Sequence, residues 1–279
     1  MEWYFILAIA VFATLLALFA LWLFLIAPRA RKKAMRPFLR PYAHRGLWGG
    51  EVPENSLQAF DRAAAQGFAI ELDVQLSCDG TVMVFHDYTL DRVCGREGKL
   101  CALSAAELVQ IPLSGTTQTI PTLKQVLQTV DGRVPLLIEL KGESGDASLV
   151  SPLLEALADY KGQWCVESFN PLLLRAVKKQ APQVVRGLLS TDLIKEKRKG
   201  SKLLNFALTK LLVTFLCRPA FHAWDGHYPH RAALRVGIKL FGAASLVYTV
   251  RDENACKRYL QKGIYPIFEG FVPKGEQDQ

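Results

Sequence analysis

From Trp3 to Ala27 the chain is apolar at nearly every position and carries no charged side chain. As a helix, such a run is long enough to cross a ~30 Å hydrocarbon layer. Past Pro41 the pattern changes to short β-branched or apolar runs alternating with helical periodicity, the rhythm of βα units. Strands are predicted at Pro41–Gly46, Ala69–Leu76, Thr81–His86, Pro135–Lys141, Trp164–Phe169, Val184–Leu189, Ala220–Asp225, Ser245–Val250 and Ile264–Phe268. Helices are predicted at Ser56–Gln66, Thr122–Val130, Ala147–Tyr160, Pro171–Gln180 and Asp252–Lys262.

About eight strands, each followed by a helix, is the order and size of a (β/α)8 TIM barrel. One strand is surplus. The turn from Ser77 to Thr81 is too short for a parallel crossover, so Ala69–Leu76 and Thr81–His86 read as a hairpin with one member in the barrel. The chain divides into a transmembrane anchor (1–27), a basic juxtamembrane linker (28–40) and one α/β barrel domain (41–279). A cleaved signal peptide is the competing reading of the first segment. That pattern wants a basic start, a shorter apolar centre and a small-residue cleavage site, whereas Glu2 precedes this run and Pro28 follows it.

The formal net charge is +8, but it is localised. Arg29, Arg31, Lys32, Lys33, Arg36 and Arg40 follow the anchor with no acid among them, and Lys195–Arg218 holds seven basic residues against Glu196 alone. The first cluster favours the cytoplasmic side, which predicts a single-pass protein of the cell membrane with its barrel in the cytoplasm. Outside the two clusters the domain is slightly acidic and has no stacking-aromatic motif, which argues against a nucleic-acid partner. Six cysteines without a C-x-x-C pair or a zinc-like spacing read as reduced structural thiols.

In a barrel the chemistry gathers at the C-terminal ends of the strands. His44 and Arg45 end the first predicted strand, Glu71 and Asp73 lie in the second, His86 and Asp87 end the third, and Glu139 and Lys141 end the fourth. Residues two apart share a face of a strand, so Glu71 and Asp73 point the same way, as do Glu139 and Lys141. Three carboxylates aimed into one mouth repel each other. Either each pairs with a neighbouring Arg or Lys, or a divalent cation lies among them, and all-oxygen ligands favour Mg2+ or Ca2+ over zinc. His44 and His86 suit acid and base work near neutral pH. Arg45 and Lys141 offer positive charge to phosphate oxygens. His222, His227 and His230 read as hydrogen-bonded core residues.

These residues stand in motifs that resemble the glycerophosphodiester phosphodiesterases: "HRG" at His44–Gly46, "PENS" at Pro53–Ser56, "IELDVQLSCDG" at Ile70–Gly80, "FHDYTLDR" at Phe85–Arg92, "IPTLKQVL" at Ile120–Leu127, "IELK" at Ile138–Lys141 and "ESFN" at Glu167–Asn170. The resemblance implies a TIM barrel with a small insertion, here Val93–Thr119. It implies metal-dependent hydrolysis of a glycerophosphodiester or lysophospholipid to glycerol 3-phosphate or a lysophosphatidate-type product plus an alcohol. Carried over by position, Glu71, Asp73 and Glu139 are metal ligands with Glu54 near the metal, His44 and His86 are acid and base, and Arg45, Lys141 and Asn55 meet the substrate. Attack by water and attack by the substrate's own 2-hydroxyl through a cyclic phosphate are both open, as is which histidine is the acid. A catalytically inactive, membrane-tethered lipid-binding barrel is the alternative, and the intact catalytic set weighs against it. Toward the C-terminus the chain departs from the family: Tyr248-Thr249-Val250 replaces a Trp-Thr-Val run, and Glu269 is the stand-in for an aspartate that closes the last strand.

Within Lys195–Pro219, Leu204, Ala207, Leu208, Leu211 and Phe215 recur at helical spacing, with Lys202, Asn205 and Thr209 opposite. A barrel helix packing this stripe on the strands and a helix resting on an anionic bilayer are the two readings.

Overall fold

The computed structural model describes residues 2–142, 146–229 and 231–273. Ahead of the barrel lie α1 (Glu2–Ile26) and the short α2 (Lys32–Met35). There follow β1 (Tyr42–His44), α3 (Leu57–Ala65), β2 (Ala69–Leu76), β3 (Val82–Val84), α4 (Asp91–Cys94), α5 (Ala105–Leu108), α6 (Leu123–Val130), β4 (Leu136–Leu140) and α7 (Val150–Ala156). The second half contains β5 (Trp164–Ser168), α8 (Pro171–Gln180), β6 (Arg186–Ser190), α9 (Lys202–Thr209), α10 (Thr214–Cys217), β7 (Phe221–Asp225), α11 (Ala232–Lys239), β8 (Ala244–Val250), α12 (Glu253–Gln261) and β9 (Tyr265–Phe268).

Parallel pairing runs β1-β2-β4-β5-β6-β7-β8-β9 and returns to β1, closing an eight-stranded barrel. β3 pairs antiparallel with β2 and stands outside the ring, as the hairpin reading requires. Alternate strand residues face inward. Tyr42, Ala69, Leu137, Cys165, Phe221, Leu246 and Ile267 share the interior cluster. Ala43, Ile70, Ile138, Val166 and Val247 belong instead to the larger layer beneath the helices. Gly187 makes the interior possible, because a Cβ there would lie 2.0 Å from the Phe221 ring. Ser56, Thr122, Asn170, Ser201 and Asp252 each accept a first-turn amide at a helix N-cap, contributing ~1 kcal/mol apiece. Between β3 and α6 the chain builds a satellite core from Phe85, Leu90, Val93, Leu100, Leu108 and Ile120, which is the insertion.

α1 is long and apolar enough to cross a membrane, and its most apolar window is only 6% buried. Its last turn is different: Ile26 is fully packed, and Phe24 meets Phe215 of α10 at 5.9 Å between ring centroids. Residues 28–40 then lie along the N-terminal end of the barrel. The Arg29 amide donates to the Pro219 carbonyl at 2.9 Å, and the Arg31 guanidinium donates to the carbonyls of Pro182 and Gln183 at 3.0 and 2.8 Å. Met35 and Phe38 are buried against the interior cluster, and Tyr42 Oη donates to the Phe38 carbonyl.

The Lys195–Pro219 segment departs from the predicted stripe. It breaks between α9 and α10, where Leu211 takes a left-handed φ of 58°. Of the stripe, Leu211 is buried and Ala207, Leu208 and Phe215 are half-buried, but Leu204 is exposed, as are Leu203 and Phe206 beside it, and Thr209 on the expected polar side is buried. Strand ends are shorter than predicted too, so His86 lies just beyond β3 and Lys141 just beyond β4.

Candidate active site

The loop from β1 to α3 forms one wall. Gly46 packs so closely on α3 that a Cβ would lie 2.8 Å from Ala59 Cβ, and its φ of 82° is also glycine's. Arg45 and Asn55 adopt left-handed φ values of 58° and 53°, a conformation that costs an L-residue ~1–2 kcal/mol. The turn aims the Arg45 amide at Glu71, whose Oε2 accepts it at 3.0 Å. Asn55 donates from Nδ2 to Asp73 Oδ2 at 2.9 Å, and Ser56 caps α3 while its hydroxyl donates to the Pro53 carbonyl.

Register delivers the acids. β1 sets His44 beside Glu71, β4 sets Glu139 beside Asp73, and β5 sets Glu167 beside Glu139. Glu71, Asp73 and Glu139 are all buried and bring one oxygen each within 4.8 Å of one another. Burial, then the charges of Asp73, Glu139 and Glu167, push the Glu71 carboxyl well above the ordinary carboxylate range. Glu139 is pushed up to about 7, chiefly by burial. Burial works on Asp73 in the same direction, but the cations of Lys141 and Arg45 hold it well below its usual value. The Lys141 ammonium bridges Asp73 and Glu139 at 2.8 Å to each, and Arg45 reaches Asp73 at 3.4 Å and Glu54 at 2.8 Å. Lys141 and Arg45 answer part of the charge on Asp73 and Glu139, while Glu71 has no Lys or Arg ion pair among the described residues; a buried all-oxygen donor set of this kind is chemically matched to a hard divalent cation.

Both histidines are anchored the same way. His44 Nδ1 lies 2.5 Å from Glu269 Oε2, and His86 Nδ1 lies 2.5 Å from Asp87 Oδ1. A carboxylate accepts there, so the proton sits on Nδ1 and each Nε2 is left basic. His44 Nε2 is 3.9 Å from Glu71. Burial lowers both imidazole pKa values, while Glu269 acts to raise that of His44 and Asp73 that of His86. Arg92 clamps Asp87 and Glu54 together at 2.6 Å to each.

Residues 44–272 match the model of the glycerophosphoryl diester phosphodiesterase family. The chain belongs to that family. It is similar to a glycerophosphodiester phosphodiesterase of Bacillus altitudinis, 32% identical over 82% of this chain and 94% of the relative. One from Caldanaerobacter subterraneus subsp. tengcongensis is 35% identical over 53% of this chain, and the match spans 65% of that relative. Among solved structures, an Oleispira antarctica phosphodiesterase in complex with the product sn-glycerol-3-phosphate superimposes with a TM-score of 0.68 at 26% identity, covering 82% of this chain and 92% of that one. A Thermotoga maritima glycerophosphodiester phosphodiesterase gives 0.62 at 25% identity, covering 82% and 94%.

In this family member the structure gathers Glu71, Asp73, Glu139, His44, Arg45 and Lys141 at one barrel mouth. Glu54 lies outside the group of three carboxylates, held by Arg45 and Arg92, and Asn55 donates to Asp73 from Nδ2 while its Oδ1 is buried without a partner. His222 is buried as read from the sequence, but neither ring nitrogen has a hydrogen-bond partner; His227 is instead a surface residue hydrogen-bonded to Asp225, and His230 lies outside the described residues. The sequence reading placed Asp87 at a strand end without a role, and passed over Arg92 and Glu167. Glu167 had a signal, since it follows Cys165 by two on an inward strand face aligned with Glu139. Its Oε2 is buried without a partner, and burial, then the charges of Glu139 and Asp73, push its pKa well above the ordinary carboxylate range.

Proposed function

We propose that this glycerophosphodiester phosphodiesterase is metal-dependent and hydrolyses a glycerophosphodiester or lysophospholipid headgroup by paired histidine acid–base catalysis. The observation that carries the reading is the repeated carboxylate–Nδ1 contact, which leaves two basic Nε2 atoms, that of His44 3.9 Å from Glu71, while His86 feels the charge of Asp73. Glu71, Asp73 and Glu139 would hold Mg2+ or Ca2+, which when bound supplies charge neutralisation at the phosphodiester. Arg45 and Lys141 add positive charge for the non-bridging oxygens. One histidine takes the proton of the attacking hydroxyl, from water or the substrate's glycerol, and the other returns a proton to the leaving alcohol oxygen. The alcohol's P–O bond breaks: with water as nucleophile this leaves glycerol 3-phosphate or its acylated counterpart, and with the glycerol hydroxyl it leaves a cyclic phosphate that a water molecule then opens to the same product. The product seen in the Oleispira relative supports that outcome. An inactive lipid-binding barrel has no use for so complete an arrangement. The apolar length of α1 and the basic residues after it support a membrane anchor with the barrel on the cytoplasmic face.

The test is Glu71→Gln in the purified chain. Turnover of glycerophosphocholine should fall to background while the melting temperature holds or rises, because a buried, repelled carboxylate is removed. EDTA should abolish wild-type turnover, and Mg2+ or Ca2+ should restore it. Full activity after chelation removes the metal from this reading.

A further inference from the structure

In the crossover from β6 to β7, Leu211 and Cys217 join the core and Ala207 and Leu208 are half-buried, yet α9 leaves its bulkiest apolar side chains in solvent. In α9, Thr209 is 1% exposed and its hydroxyl has no partner, whereas Leu203, Leu204 and Phe206 are 79%, 53% and 45% exposed. A helix that served only to cover the barrel would turn its apolar side inward. Ile194, 48% exposed in the loop that leaves the mouth end of β6, extends the apolar surface. Lys195, Lys197, Arg198, Lys199 and Lys202 surround it, and Lys210 lies with its ammonium over the Phe206 ring. The acids nearby are Asp192 and Glu196, and Glu196 is engaged by the Thr191 hydroxyl.

We propose that α9 and the loop before it dock on an anionic lipid bilayer. Apolar side chains ringed by lysine and arginine match the chemistry of that surface, with acyl chains beneath negative headgroups. The docking face is also continuous with the anchor. α10, in the same crossover, packs on the last turn of α1, and Arg218 donates from Nη1 to the Phe24 and Ala27 carbonyls at 2.9 and 2.7 Å with its guanidinium over the Phe24 ring. One crossover thus holds both the end of the span and a second, lateral contact. Because the 191–200 loop begins at the C-terminal end of β6, docking brings that edge of the mouth to the headgroup layer, where a phosphodiester that retains an acyl chain is presented. This inference rests on the anchoring reading above and adds the substrate class to it.

The experiment uses the full chain in lipid nanodiscs of phosphatidylcholine alone or mixed with phosphatidylglycerol. Amide hydrogen exchange over residues 195–210 should slow at least ~10-fold in the phosphatidylglycerol discs at low salt and return toward the phosphatidylcholine value at high salt. Lys197→Glu, Arg198→Glu and Lys199→Glu together should erase the difference, and Leu203→Ser with Phe206→Ser should do the same. Both variants should hydrolyse soluble glycerophosphocholine at the wild-type rate but lose several-fold on a lysophospholipid held in the disc. Equal exchange in the two lipids overturns the proposal, as does protection that depends on protein concentration in detergent, which would mean a second copy. Loss of glycerophosphocholine turnover in the wild type would instead count against the catalytic reading, and failure to enter discs against the anchor.

Discussion

Glu269 is held from two sides. Its Oε2 accepts from His44 Nδ1 at 2.5 Å, and its Oε1 accepts from Arg251 Nε at 2.7 Å. Burial would raise its pKa, but His44 and Arg251 outweigh burial and bring it to about 2. The charge is therefore present throughout the working pH range, steering the ring and supporting an imidazolium. Glu269→Gln keeps the shape and removes the charge. Turnover should drop at least ~10-fold, a part of the ~10²–10⁴ that positioned proton transfer supplies, with KM little changed. The limb of the pH–rate profile that reports His44 should move to lower pH, because the group raising that pKa is gone. An unchanged rate and profile would return Glu269 to packing alone.

At the scale of elements, most of the fold and the carboxylate group were legible in the sequence, for a physical reason. Inward acids two apart on β2 and a matching acid on β4 are local patterns, and parallel register then aligns Asp73 with Glu139. What depends on distant segments was not legible. The Glu54–Arg92 pair joins a loop to the insertion, the Glu269–His44 pair joins the two ends of the barrel, and the orientation of α9 follows from a break at Leu211. His222 shows the same limit. It lies on the outer face of β7 against Gly237 of α11 and Pro28, fully buried, and neither ring nitrogen has a partner. Burial, then the charge of Arg231, pulls its pKa down to about 4, against ~6.5 in an unfolded chain. The folded state thus resists protonation, so this contribution to stability is complete above pH ~6.5 and is lost as the pH falls toward 4, amounting to ~3 kcal/mol. His222→Leu should flatten the decline in melting temperature over that window relative to wild type. Parallel declines for the two proteins would show that His222 is not the acid-labile group.

For the whole molecule, the decisive feature is that the apolar helix α1 is not joined to the barrel by a tether. Met35 and Phe38 fill the N-terminal end of the barrel beside Tyr42 and Ala220, and Ile26 enters the outer core. Arg29, Arg31 and Arg218 fix the backbone on both sides of that contact, donating to carbonyls rather than pairing with acids. Arg31 of the basic linker is therefore a structural strut, whatever further part the linker's charges would play at a membrane face under the proposed anchoring. A barrel held at its N-terminal end has its tilt relative to α1 set by packing instead of by chain flexibility. Phe38→Ala should test this coupling. Emptying so enclosed a site costs ~3–5 kcal/mol, which lowers the melting temperature of the detergent-solubilised chain by on the order of ten degrees for a domain this size. A chain beginning at Pro41 should lose more, since it exposes the whole barrel floor, while the mouth residues and the chemistry they perform stay in place at low temperature. If the shortened chain melted with the full-length protein, residues 28–40 would be a tether after all, and the anchor would have no hold on the orientation of the barrel.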